Sequence, residues 1–484
     1  MPFGGRIRSD NRWVILSKLI PWDEIEKRYA KNFSKEGIGA PAKPVRVALG
    51  ALIIKEKLGL TDEETMMQIQ ENPYTQYFLG FESFYDEEPF DSSLMVHFRK
   101  RLGEKTVREM NELVVKNWVK RKSSQNKRKK KGSDDGEDTP KQGKLIVDSS
   151  CAPADIRYPT DLSLLNEGRE KLEGIIDVLH EPLKPKEKKP RTYRRNARKD
   201  YLNVAKKKRV RRSEIRKAIG KQLRYVKRDL GYIEDLKDRS PLTCLKRKNY
   251  RDLLVIHELY RQQKQMWDKK EHKISGRIVS ISQPHVRPIV RGKARGDVEF
   301  GAKISVSLIG GYSFLDRISW DAYNESQDLI GQVESYRERF GCYPISVHAD
   351  KIYRTRENLG YCREKGIRLS GPALGRPKIM TKEEATKEKR IRRLAERYRI
   401  PIEGKFGQGK RRFSLDLIMT KLAVTSGSAI SVIFLVMNLE KLLSDFLLFF
   451  SSFPIVEKMR DWLHRIGLLR RYQVSSWATE FSFA

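Results

Sequence analysis

Apolar residues recur at helical spacing through the first 120 residues. Trp13–Ile20 reads as one short helix, which Pro21 interrupts before a second runs to Phe33. Val45–Leu58 is an apolar helix that Gly59 can stop. Thr61 and Glu64 in TDEE form a capping box and predict a helix through Leu79. Asp91 or Ser92 can cap FDSSLMVHFRKRL, and Thr106–Lys120 follows as a further helix. The apolar period then stops. Residues 121–143 hold almost no apolar side chain and are predicted to be a flexible charged linker.

Beyond it the pattern changes. KLIVDSS predicts a short buried strand ending at Asp148. Between 163 and 273, Ile219, Leu223, Val226, Leu230 and Ile233 recur in alternating steps of four and three, and Arg251–Lys270 reads as a second long helix. Together they predict a helical hairpin inserted in a sheet domain. Strands return at Ala302–Leu308 and Tyr312–Trp320, around a Gly310-Gly311 turn. A helix over Leu329–Phe340, a strand over Tyr343–Ala349 ending at Asp350, a helix over Arg356–Lys365 and a strand over Ile367–Ser370 follow. Glu383–Arg399 is a charged helix, and Glu403 opens a new segment after Pro401. The chain is therefore expected to be α/β: a mixed sheet with packed helices over 144–484, interrupted by the insertion at 163–273, after an all-α domain over 1–120. Leu422–Leu439 carries no charge and nearly reaches the length of a bilayer span, yet contains Thr425, Ser426, Ser428, Ser431 and Asn438. A buried core helix is expected there, and no membrane partner.

Charge adds a partner to this scheme. A formal net charge of +36 favours a polyanion, with nucleic acid ahead of an anionic membrane. Lys184–Arg228 alone holds 21 lysines and arginines against 3 acids, half of the whole excess. A merely solvated helix face would mix signs, so this segment is read as a DNA-binding surface, with Arg194, Arg195, Lys207 and Arg211 as candidates. Tyr193, Tyr201 and Tyr225 interleave these cations and fit either base stacking or helix packing. Arg99, Lys100 and Arg101 leave the N-terminal helices open to two readings, a helix-turn-helix-like module or a packing domain. The four cysteines form no C-x-x-C pair and the N-terminus lacks an apolar leader, so a reducing, cytoplasmic compartment is expected.

The stretch IPIEGKFGQGKRRF supplies the candidate chemistry. Glu403 is a lone acid among Lys405, Lys410, Arg411 and Arg412, where the surroundings attract phosphate. A carboxylate tolerates a phosphodiester there when a divalent cation stands between them. Asp148 and Asp350, both at strand ends, converge if their strands are neighbours. Three carboxylates suit Mg²⁺ or Mn²⁺, and two such ions about 3.5–4 Å apart support in-line phosphoryl transfer. Helical spacing sets Arg399, Glu403 and Lys410 near one face, positioned to grip phosphate. Each acid taken singly is equally a cap or an ion-pair partner. His348 is read as a core or cleft-wall residue, Asp155, Asp161, Asp297 and Glu299 as fold-stabilising, and Asp316 and Asp321 as hairpin surface.

These residues lie within VDSSCAPADIRYPTDLSLLNEGRE, RPIVRGKARGDVEFGAKISVSLIGGYSFLDRISWDAYNES, HADKIYRTREN, GIRLSGPALGRP and IEGKFGQGKRR. Jointly the stretches resemble the bacterial insertion-sequence DDE transposases, in the insertion-sequence-five group. The resemblance covers nearly the whole chain. It implies an RNase H-like fold, a metal triad on Asp148, Asp350 and Glu403, and a basic signature on Arg399 and Lys410. It also implies cutting at transposon ends to free a 3′-hydroxyl that attacks target DNA, with a homodimer in the active complex. Two features depart from the family: Glu396 stands where the signature often has tyrosine, and Pro401 lies close to the glutamate. Two other classes fit the same residues, a non-catalytic DNA-binding repressor and an RNase H-fold nuclease that does not transpose.

Overall fold

The computed structural model describes residues 2–33, 41–127, 143–290, 298–371 and 381–451. Its N-terminal region is helical: Arg12–Leu19, Trp22–Tyr29, Val45–Leu58, Asp62–Glu71, Pro73–Leu79 and Leu94–Lys127. The Thr61 hydroxyl accepts from the Glu64 amide, and the Glu64 carboxylate accepts the Thr61 amide at 2.7 Å, which completes the capping box. The helix it starts stops at Glu71 instead of running to Leu79. Asn72 caps a new helix that Pro73 opens, since proline has no amide to continue the first. The two helices expected before Lys120 are both present within Leu94–Lys127, separated by a break at Gly103 (φ 64°, ψ 167°), and the second runs on to Lys127. Lysine, arginine and glutamine are good helix formers, so a composition that cannot build a core can still extend a helix. Residues 128–142 of the expected linker lie outside the described residues.

Among the described residues six strands form the sheet: β1 (Lys144–Pro153), β2 (Arg287–Val290), β3 (Val298–Ile309), β4 (Tyr312–Ser319), β5 (Ser346–His348) and β6 (Arg368–Leu369). The order is β2-β3-β1-β5-β6, with β4 also paired to β3. β1 is antiparallel to β3 and parallel to β5, and β5 is parallel to β6. Gly310 and Gly311 both take positive φ (58° and 85°), as the tight turn between β3 and β4 requires. β1 does not end at Asp148. Its pairing with β3 continues to Pro153 opposite Gly301, so Asp148 is a mid-strand residue.

One hydrophobic core joins the N-terminal helices to the sheet, from Leu49 and Phe98 through Val147, Val306 and Val347 to Ile433 and Phe434. The C-terminal helix Ala423–Ser451 lies within it, as its uncharged first half predicts. Buried Asn438 ties three elements together, donating to the Asn111 side chain at 2.9 Å and the Ser313 carbonyl at 2.7 Å. Among the described residues no helix is long and apolar enough to cross a membrane.

Between β1 and β2 the chain builds a second core. The expected hairpin is part of a four-helix unit: Asp161–His180, Arg194–Ala205, Arg212–Lys237 and Arg247–Lys269. Leu223, Val226, Leu230 and Ile233 pack against Leu172, Ile175, Ile176, Leu253 and Ile256. The first of these helices starts at a Thr160 capping box with Ser163, a signal the basic run beyond it obscures.

Candidate active site

β1 and β5 are parallel neighbours, and Ile146 lies opposite His348. Two residues further along each chain come Asp148 and Asp350. The register therefore sets Asp350, just past the end of β5, beside Asp148 in the interior of the sheet. Asp148 is half-buried on β1, its Oδ1 accepting from the Ser149 amide at 2.8 Å. Asp350 caps the turn after β5, accepting from the Lys351 amide at 2.7 Å.

The third acid comes from a helix that local propensity argues against. Lys382–Arg412 is continuous through Pro401 and three glycines, whereas a break before Glu403 is expected from sequence. Packing holds it together. Ile402 is fully buried and Phe406 nearly so. At Gly409 an added Cβ would stand 2.9 Å from Leu415 Cδ2 and 3.2 Å from Met437 sulfur, so glycine permits the approach of the C-terminal helix. Gly404 faces open space. With the helix unbroken, Arg399, Glu403 and Lys410 share one face and line the same cleft as Asp148 and Asp350, a space of about 640 Å³.

Arg399 sits between two of the acids, 3.4 Å from Asp350 and 3.2 Å from Glu403. Burial raises the Asp148 carboxyl to about 6; Glu325 and Asp350 add to the rise, while the Ser149 amide and Arg399 oppose it. Among the described residues, no three histidine, cysteine, aspartate or glutamate side chains are gathered closely enough to hold a metal ion as they stand. The donors are nevertheless of one kind. Oxygen ligands from several acids face one cleft, and the ionised form of one of them, Asp148, is disfavoured chiefly by burial and also by neighbouring carboxylates. A hard divalent cation fits that chemistry.

The other candidates divide. Arg411 and Arg412 are not among the residues that line the cleft: Arg411 is exposed with its guanidinium beside Gly407, and Arg412 lies over the Phe413 ring, 3.9 Å from Glu440. On the insertion, Arg194 pairs with Asp177 at 2.6 Å and Lys207 pairs with Glu214. Arg195 and Arg211 are exposed. Two of the tyrosines pack, Tyr225 donating to Asp200 at 3.0 Å and Tyr201 joining a small apolar cluster, while Tyr193 is exposed with Arg228 over its ring. His348 is buried against Tyr398, and burial lowers its pKa to about 4. Asp316 is not hairpin surface. It sits at a register shift in β4 with its side chain largely covered, accepting from Ser307 at 2.5 Å and Gln332 at 2.8 Å.

The cleft also holds residues that sequence reasoning missed, namely Ser149, Lys303 and Glu325. Glu325 looks like any acid opening a helical turn, so nothing in its surroundings singles it out.

The family described as Transposase DDE domain matches residues 347–440, which include Asp350, Arg399, Glu403 and Lys410. The chain carries a transposase DDE domain. A second family, described as a Transposase domain, matches residues 2–101, the N-terminal helices. An uncharacterized protein from Rhizobium meliloti, ORF8 in the nfe locus, is 30% identical over 152 residues, 31% of this chain and 66% of that relative. The chain thus spans just under two thirds of the relative's length. No solved structure matches. The DDE-domain match begins in β5, so Asp148, Lys303 and Glu325 lie outside it: the sheet places the first two in the site, and the helical turn Glu325–Asp328 places the third.

Proposed function

We propose that this protein is a Mg²⁺- or Mn²⁺-dependent DDE transposase of the insertion-sequence-five group, with an RNase H-like catalytic domain. It binds the ends of an insertion sequence, cleaves DNA phosphodiesters and joins the freed 3′-hydroxyls to target DNA. The observation that carries this reading is the parallel register of β1 and β5, which aligns Asp148 with Asp350 while Glu403 lines the same cleft. An antiparallel hairpin followed by two parallel strands supports the RNase H-like assignment.

Asp148 and Asp350 would share the metal pair, and Glu403 would complete one site. When bound, the ions supply activation of the attacking water or hydroxyl and stabilisation of the leaving 3′ oxygen. The remaining roles fall to the chain itself. Arg399, already on two carboxylates, can exchange them for a phosphate oxygen, which its planar fork also fits. Lys410 adds a cation to the same wall. The exposed cations of the insertion hold the duplex away from the reacting bond. Bringing two element ends together calls for at least a homodimer.

The test uses the full chain, DNA carrying the element's terminal repeats, and Mg²⁺. The expected result is 3′ nicking by the wild type, and its loss in Glu403→Gln with end binding retained. Binding without nicking in either Mg²⁺ or Mn²⁺ would mark a repressor. Nicking of branched DNA or RNA hybrids regardless of the repeats would mark a nuclease that does not transpose.

A further inference from the structure

Behind Asp148 runs a chain of polar contacts that no role so far explains. Lys303, on β3, donates to the Tyr323 carbonyl at 2.9 Å and pairs with Glu325 at 2.9 Å. Glu325 in turn accepts the Ser149 hydroxyl. Ser149 is the residue whose amide holds the Asp148 carboxylate. On the other side, the turn that carries Glu325 is clamped to the turn that carries Asp350. Buried Asn358 donates to the Ser326 carbonyl and the Tyr353 carbonyl, both at 2.8 Å. A continuous hydrogen-bonded frame therefore links Asp148 to Asp350 through Glu325.

The Lys303–Glu325 pair is poor value as a stabiliser. Its side chains are only 15% and 16% exposed, so both charges are largely stripped of water, and a buried ion pair often does no better than an apolar pair of the same size. What it supplies is a fixed geometry beside the acid that has least freedom to move.

We propose that Glu325, held by Lys303 and holding Ser149, is a positioning residue that sets the orientation of Asp148 and its spacing from Asp350. The inference rests on the metal-binding reading of the cleft. Groups that orient ligands from behind typically alter metal affinity 10–100-fold when removed.

The probe is Mn²⁺ alone, titrated into the full-length protein without DNA and read by electron paramagnetic resonance. Glu325→Gln is expected to weaken Mn²⁺ uptake about tenfold or more, Glu325→Asp to recover part of the loss, and DNA affinity to stay unchanged. Thermal melting confirms the fold. Unaltered Mn²⁺ affinity in folded Glu325→Gln overturns the proposal. If that variant does not fold, Ser149→Ala, which leaves the Lys303–Glu325 pair in place, carries the test. A severalfold loss supports the relay and unchanged affinity overturns it. A wild type that takes up no Mn²⁺ would instead sink the metal-dependent reading, and this inference with it.

Discussion

The cleft and the helical insertion use charge in opposite ways. In the cleft, acids from distant parts of the chain are brought together by strand register and a packed helix, and Arg399 lies across two of them. In the insertion, cations are numerous and local in sequence, and their number matters more than their exact placement: Arg194 and Lys207 are spent on ion pairs, while Arg195, Arg198, Lys199 and Arg211 remain exposed. On the function proposed above, the first region works through geometry and the second through electrostatic attraction. The two have separate hydrophobic cores, so damage to one need not reach the other.

The sharpest way to break this comparison is at the acids. Asp350→Asn should cut Mg²⁺-dependent nicking by at least about a thousandfold, because residues that act as a unit fail together. Filter binding should show end affinity unchanged. If nicking survives, geometry is not what the cleft provides.

Next comes the insertion's core. Leu172 is fully buried there, and Leu172→Ala should cost about 3 kcal/mol by leaving a cavity. Denaturation should show an early transition, with DNA affinity lost and Mn²⁺ uptake by the cleft retained. Coupled loss of both would mean the regions are not independent.

A smaller effect is expected at the insertion's surface. Replacing Arg195, Arg198, Lys199 and Arg211 with alanine should lower the salt dependence of DNA binding by about three to four in logarithmic slope, at roughly 0.9 per phosphate contact. The nicking rate of bound DNA should not change.

The smallest prediction concerns stability. An acid whose folded pKa is raised favours its protonated form, so its contribution falls as pH rises from its unfolded value through about 6. Asp148→Asn removes that penalty and can keep the Ser149 amide as a donor to its oxygen. The variant should melt about 2–4 °C higher than wild type at pH 7.5, and the difference should close near pH 4. Calorimetry at both values checks the sign.

How much of this is legible in the sequence depends on the range of the interaction. Capping at Thr61, the turn at Gly310-Gly311 and the apolar seam of Leu223 to Ile233 are local signals, and they appear in the structure where the pattern puts them. Asp148 and Asp350 are recognisable as strand acids, but their adjacency follows from the pairing of Ile146 with His348, which no single segment reveals. Pro401 and its neighbouring glycines argue for a break that burial of Ile402 and Phe406 overrides. Asp316 reads as surface because the register shift that covers it is a property of two strands. Glu325 was invisible for a related reason: its significance lies in contacts to Ser149 and Lys303, well over a dozen residues away in either case.

On the proposed function, divalent cations sit between Asp148 and Asp350 beside the end of β5, with Glu403 joining them. Anomalous diffraction from crystals soaked in Mn²⁺ tests it most directly. The account predicts a peak between Asp148 and Asp350, with the Arg399 guanidinium withdrawn from Glu403. An empty cleft with Arg399 still spanning Asp350 and Glu403 at saturating Mn²⁺ would contradict it.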